Sequence, residues 1–171
     1  MRTLVLPGLL LAFLLAAGCL SLNDSKRGTP VPPFEGVDSR GQLMRLGEHK
    51  NKVVLLSFWH SHCPPCRAMF AHEKKLVEKY RDRPFVLLGV NADASPVELR
   101  TTEEKAGLTW TSFWDGVGGP ITSGFAVDRF PTFILIDPEG KHRWQLAGVP
   151  SEGELEKKIN ELLDEIGKRQ S

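Results

Sequence analysis

The period of the apolar positions changes along the chain, and each change marks an element. Val53-Val54-Leu55-Leu56-Ser57-Phe58-Trp59 is a nearly continuous apolar run, the pattern of a central strand covered on both faces. From Cys63 to Tyr80 the residues Met69, Phe70, Leu76, Val77 and Tyr80 recur at helical spacing, and Pro84 lies just beyond, so a helix is predicted there. Phe85-Val86-Leu87-Leu88-Gly89-Val90 reads as a second buried strand. Ser95-Pro96-Val97-Glu98 is a capping box with proline in the first turn, which predicts a helix from 96 to about 106. Thr132 to Ile136 is a third strand, ended by the turn Asp137-Pro138-Glu139-Gly140, with His142 to Leu146 returning as its hairpin partner. Ser151 and Glu154 form another capping box and open a helix to about Ile166; Leu155, Ile159, Leu162, Leu163 and Ile166 line one face of it. Upstream, Val37 to Leu43 predicts a small hairpin turning at Ser39-Arg40-Gly41. A short hairpin followed by strand–helix–strand–helix–strand–strand–helix predicts an α/β protein, a mixed central sheet flanked by helices.

Two stretches stay outside this pattern. Trp110, Phe113 and Trp114 read as core or rim aromatics rather than a substrate platform. Gly116-Val117-Gly118-Gly119-Pro120 is glycine-rich, but no lysine follows at phosphate-loop spacing, so a flexible insertion is expected.

The amino end has a different character. Met1-Arg2-Thr3 is short and positive, and Leu4 to Ala17 is apolar and uncharged, interrupted only by Pro7-Gly8. That run of about 14 residues is too short for a bilayer needing roughly 20 helical residues, and it has the shape of a secretory signal peptide. Ala16-Ala17-Gly18 leads directly into Cys19, which resembles a bacterial lipoprotein signal. The resemblance implies cleavage before Cys19, lipidation of that cysteine and stable anchoring, since each buried methylene contributes about 0.8 kcal/mol. Ala16 stands where a larger aliphatic residue is commoner; ordinary cleavage after Gly18, giving a soluble secreted or periplasmic protein with a free thiol, is the alternative. Residues 20–33 lack periodicity, carry three prolines and read as an extended tether. The expected division is signal peptide 1–18, lipidated tether 19–33 and a single folded domain 34–167.

Composition narrows the function classes. The chain has 171 residues, 41% hydrophobic and 25% charged, a globular balance. Lys plus Arg number 22 and Asp plus Glu 21; residues 1–18 hold Arg2 and no acid, so the remainder is balanced at 21 against 21. Zero net charge argues against nucleic-acid binding through broad phosphate neutralisation. Three cysteines exclude a disulfide-scaffolded mini-protein.

Those cysteines carry the chemistry. Trp59-His60-Ser61-His62-Cys63-Pro64-Pro65-Cys66-Arg67 joins the first long strand to its helix. A helix amino terminus presents free N–H groups and the positive end of the dipole. A thiolate on Cys63 is stabilised there, so its pKa is expected below the free value of about 8.5. Arg67 and any protonated His60 or His62 would strengthen the positive field. Pro64 and Pro65 need no N–H where helix donors are unpaired, and they stiffen the loop. Cys66 follows one turn later, within disulfide reach. With Cys19 lipidated, Cys63 and Cys66 have only each other. A bridge enclosing four residues contributes only about 2 kcal/mol by loop entropy, so a bond that is made and broken explains the pair better than a structural one.

At these residues the chain resembles the thioredoxin superfamily, more closely its extracytoplasmic TlpA/ResA-like branch. The matching features are the Phe58-Trp59 strand end, Cys63-Pro64-Pro65-Cys66-Arg67, Phe130-Pro131-Thr132, and Asp137-Pro138-Glu139-Gly140 before a last strand and helix. They span roughly residues 31 to 166. The resemblance implies a thioredoxin-like fold and a thiol–disulfide oxidoreductase. Cys63 would attack a partner disulfide and Cys66 would resolve the mixed disulfide. Phe130-Pro131 would be a cis peptide beside the thiols, presenting the Phe130–Thr132 backbone to a client, with Trp59, His60, His62, Pro64, Pro65 and Arg67 supporting the pair. No cofactor and no metal are implied beyond the redox disulfide itself. The expected partners are disulfide- or thiol-bearing client proteins, an extracytoplasmic or membrane thiol electron donor, and the membrane through Cys19; nucleic acid is not a partner, and a monomer is expected. The branch usually reduces its clients, so a reductase is expected rather than an oxidase.

The chain departs from the pattern in its acids. Thioredoxins carry a buried acid two residues before the tryptophan, here Ser57; TlpA/ResA-like proteins often carry a glutamate three residues after the second cysteine, here Met69. Either His60 or His62 could set the thiol chemistry instead, or both could be solvated loop residues. Glu73 lies seven positions after Cys66, about 10 Å along the helix axis, and reads as a surface or helix-pairing carboxylate. A peroxiredoxin-like thiol peroxidase is one competing function, but its Pro-x-x-x-Thr/Ser-x-x-Cys pattern meets Leu56 and His60 here. A copper- or zinc-binding protein using the two thiols and two histidines is another. A redox-dead docking lipoprotein is the third, opposed by the presence of both cysteines.

Overall fold

The computed structural model describes residues 27–170; the expected signal peptide and Cys19 lie outside the described residues. Seven strands form one sheet in the order β2-β1-β5-β4-β3-β6-β7. They are β1 (Glu35–Val37), β2 (Leu43–Arg45), β3 (Val53–Trp59), β4 (Phe85–Asn91), β5 (Ser112–Trp114), β6 (Thr132–Ile136) and β7 (His142–Ala147). The helices are α1 (Pro64–Lys79), α2 (Pro96–Ala106), α3 (Pro120–Gly124) and α4 (Glu154–Gln170), with a 3-10 turn at Leu46–His49. β3, β4 and β5 run parallel, and β6 is antiparallel to β3, so the sheet is mixed and thioredoxin-like.

The apolar runs are continuous because both faces of the sheet are covered. Successive side chains of a strand point to opposite faces. Val53, Leu55 and Trp59 therefore join the cluster formed with α1 and α4, including Phe70, Leu76, Leu155 and Ile159. Val54, Leu56 and Phe58 join the opposite cluster with Ile121, Phe125 and Leu46. The carboxyl ends of β3 and β4 open to one edge, where their loops lead into α1 and α2.

Three local expectations change. The Gly116–Pro120 segment is fixed: the Asp115 carboxylate accepts from the Ile121 and Thr122 amides at 3.0 and 2.7 Å, capping a helix too short for sequence periodicity to reveal. At Ser95 only half a capping box forms. Its hydroxyl accepts from the Val97 amide at 3.1 Å, and the Glu98 carboxylate lies 3.9 Å from His62 instead. Part of the expected tether is tied down, since Gly28 and Val31 donate to the carbonyls of His142 and Gly140. The aromatics Trp110 and Phe113 are buried, and Trp114 packs against the core.

Candidate active site

The loop from β3 to α1 delivers the two cysteines. Cys63 is the N-cap residue of α1, and Pro64 and Pro65 fill its first turn, where the missing amides cost nothing. Cys63 and Cys66 form a disulfide with Cα atoms 5.3 Å apart. The Cys63 sulfur also accepts the Cys66 amide at 3.1 Å, so the first free donor of the helix points at it. A thiolate formed there gains a charge-assisted hydrogen bond and the dipole end together. Cys63 is 5% exposed and Cys66 1%, so Cys63 is the more accessible of the two sulfur-bearing residues.

The second loop of the site precedes β6. Its Phe130–Pro131 bond is cis. The register Phe58↔Thr132 sets Pro131 beside the carboxyl end of β3, where the cysteine loop begins. Thr132 Oγ1 donates to the Arg129 carbonyl at 2.8 Å, and the Gly148 amide donates to the Pro131 carbonyl at 2.7 Å. The two loops touch: the rings of His60 and Phe130 meet edge to face with centroids 5.2 Å apart. Trp59 is buried beneath them, packed edge to face on Phe70. Pro64, Pro65 and Arg67 are exposed on the rim. His62 points away, its side chain 79% exposed and facing Glu98, so the structure brings His60 into the site but not His62.

Sequence reasoning missed Glu73. It is buried beneath α1, 1% exposed, rather than on the surface. Met69, Glu73 and Leu76 share the core-facing stripe of the helix, and that spacing is the signal that could have placed it. The sheet makes room for it with a row of small residues, Ser57↔Gly89↔Ser112, running across β3, β4 and β5. A Cβ on Gly89 would run into the Ser112 side chain and come within 2.9 Å of Trp59 Nε1, so only glycine fits at the centre of that row. Among the described residues, Glu73 Oε1 and Trp59 Nε1 have no hydrogen-bond partner. Burial pushes the Glu73 carboxyl up to about 7, partly offset by the Ser57 hydroxyl. A carboxyl thus occupies the space beside Ser57 that a strand acid would have filled.

Among the described residues, no three His, Cys, Asp or Glu side chains cluster as metal ligands. No helix among them is long and apolar enough to cross a membrane. A cavity of about 540 Å³ lined by Pro30, Leu46, Val54, Ile136 and Pro138 lies at the opposite end of β3, away from the disulfide.

A dithiol/disulfide pair at a helix start, on the rim of a mixed sheet and beside a cis-proline loop, can exchange disulfides with a protein chain. Comparison with known proteins agrees. Residues 26–163 match the Redoxin family. Thiol-disulfide oxidoreductase ResA of Bacillus cereus is 27% identical over 160 residues, covering 93% of this chain and 91% of that protein. ResA of Bacillus subtilis is 24% identical, covering 93% and 92%. Among solved structures, a Chlorobium tepidum protein assigned as thiol:disulfide interchange protein DsbE superposes with a TM-score of 0.74 at 30% identity, covering 80% of this chain and 97% of that one. A thiol-disulfide oxidoreductase from Bacteroides fragilis gives 0.70 at 29% identity, covering 78% and 99%. The chain belongs to the Redoxin family and is a TlpA/ResA-like protein disulfide oxidoreductase of the thioredoxin superfamily.

Proposed function

We propose that this oxidoreductase works outside the cytoplasm, held at a membrane through lipidated Cys19, and reduces disulfides in client proteins. The observation that supports it best is the Cys63 sulfur at the start of α1, receiving the Cys66 amide. In the reduced enzyme the Cys63 thiolate attacks one sulfur of the client bridge. The client S–S bond breaks, a mixed disulfide forms, and the departing client sulfur leaves as a thiolate that takes a proton from water. Cys66 then loses its proton and attacks the Cys63 sulfur. The Cys63–Cys66 bond forms, the mixed disulfide breaks, and the second client sulfur leaves as a thiol. Two electrons have passed from enzyme to client, and an extracytoplasmic dithiol donor must return them. The backbone of Phe130, Pro131 and Thr132 receives the client chain, and His60 holds that loop against the cysteine loop through its ring contact.

Reduction rather than oxidation is the direction that the TlpA/ResA-like branch implies. The midpoint potential of the Cys63–Cys66 couple against glutathione tests it. A value well below about −200 mV is expected, and one near −120 mV would make the protein an oxidant. The anchor is tested separately by mass spectrometry of the mature amino terminus. A diacylated or triacylated Cys19 is expected, and an unmodified Cys19 would contradict the anchor.

A further inference from the structure

Between β3 and α1 the chain makes a tight turn, His60 to Cys63, closed by the Cys63 amide donating to the His60 carbonyl at 3.1 Å. Nothing in that turn belongs to a strand or a helix, yet it sets where the Cys63 sulfur lies. Ser61, at its first corner, is held from outside. Its amide donates to Asp93 Oδ1 at 2.8 Å and its hydroxyl to Asp93 Oδ2 at 2.5 Å. The same hydroxyl oxygen lies 2.7 Å from Thr102 Oγ1 of α2.

Asp93 is itself fixed from several directions. It lies two residues past the end of β4 and is 3% exposed. Asn91 Nδ2 donates to Asp93 Oδ2 at 2.9 Å, and the Asp93 amide returns a bond to Asn91 Oδ1 at 3.1 Å. Trp114 Nε1, on β5, donates to the Asp93 carbonyl at 2.9 Å. The Ala92 amide donates to the Trp59 carbonyl, joining the exits of β3 and β4. A buried carboxylate with every contact supplied by a neutral donor is a rigid acceptor of fixed geometry.

We propose that Asp93 is a positioning residue for disulfide exchange: its carboxylate clamps Ser61 to the end of β4 and so fixes the turn that presents the Cys63 sulfur. Asp93 touches no reacting atom and acts through Ser61. An attacking sulfur must meet the client S–S bond nearly in line, and a misplacement of about 1 Å can cost on the order of 100-fold in rate. Among the described residues the Asp93 carboxylate is the only acceptor of the Ser61 amide, so its loss frees the turn while leaving the sheet paired. The proposal rests on the reading of Cys63 as the nucleophile.

The test measures single-turnover reduction of insulin by the pre-reduced protein, with amide exchange by NMR, in wild type, Asp93→Ala, Asp93→Asn, Ser61→Ala and the Ser61→Ala/Asp93→Ala double variant. Arg143→Met, far from the thiols, controls for general loss of stability. Asp93→Ala is expected to slow reduction by at least roughly tenfold. Exchange at Ser61 and Cys63 should accelerate while Leu55 and Leu87 stay protected. The double variant should be no slower than Asp93→Ala alone, because both changes cut the same clamp. Asp93→Asn keeps one acceptor and should fall in between; it serves alone if the alanine variant does not fold. Wild-type rates in both Asp93 variants would overturn the proposal, as would equal slowing in Arg143→Met, or additive effects in the double variant. Failure of the underlying reading looks different: wild type itself would then reduce insulin with Cys63 blocked.

Discussion

Cys63→Ser abolishes client reduction, lowering the rate of insulin reduction by at least on the order of 1,000-fold, whereas Cys66→Ser stops the reaction at a mixed disulfide. The difference follows from the positions of the two sulfurs. Cys63 sits at the cap of α1, more accessible than Cys66 and aligned with the Cys66 amide. A serine hydroxyl there ionises far outside the working range and cannot displace a thiolate. Cys66, 1% exposed, cannot reach a client disulfide in its place. In the proposed mechanism its work is the second step, within reach of Cys63 because the N-cap and third helical positions are one turn apart. Stopped-flow reduction of insulin by pre-reduced variants measures the first loss, and the accumulating adduct measures the second.

Glu73→Gln stabilises the protein at alkaline pH, by about 3 kcal/mol at pH 8.5 compared with its effect at pH 4. The sign follows from burial. An unfolded glutamate ionises near 4.5, whereas burial pushes folded Glu73 up to about 7. Below 4.5 both states hold the proton and the shift has no consequence. Between 4.5 and 7 the unfolded chain releases its proton while the folded protein keeps it, so stability falls as pH rises. Above 7 the whole penalty is present. Desolvation dominates this carboxyl's shift and the Ser57 hydroxyl opposes it. Glutamine removes the ionisation, so the gap in urea midpoint between wild type and variant should open between pH 5 and 8. A gap constant with pH would show that Glu73 titrates as an ordinary carboxylate. Because Glu73 changes charge near neutrality about two helical turns below Cys66, the same pH range is where the thiol pair would feel it.

The central strands and the thiol pair were legible because their signals are local. Val53 to Trp59 is buried on both faces, and that burial writes an uninterrupted apolar run; the observed strand has the same limits as the expected one. The Cys-x-x-Cys shows its helix start through Pro64 and Pro65. What the sequence hid depends on distant partners. Three-residue β5 is too short to display a period, and its place between β1 and β4 emerges only from the crossover through α2. Glu73 reads as polar and therefore exposed, yet the space it occupies is made by Ser57, Gly89 and Ser112 on three different strands. Their adjacency exists only once the register is known. Asp93 lies 32 residues from Ser61 and belongs to no motif, so no spacing could have joined them. The two histidines were equivalent in sequence and are separated by the turn, which points His60 at Phe130 and His62 at Glu98.

The central claim is that one sulfur, at the start of α1, makes the bond to the client. Reduced Cys66→Ser protein incubated with insulin, quenched and digested for mass spectrometry, tests it most directly. The account predicts a stable covalent adduct in which an insulin cysteine is joined to Cys63. Absence of any adduct while insulin is still reduced would contradict it.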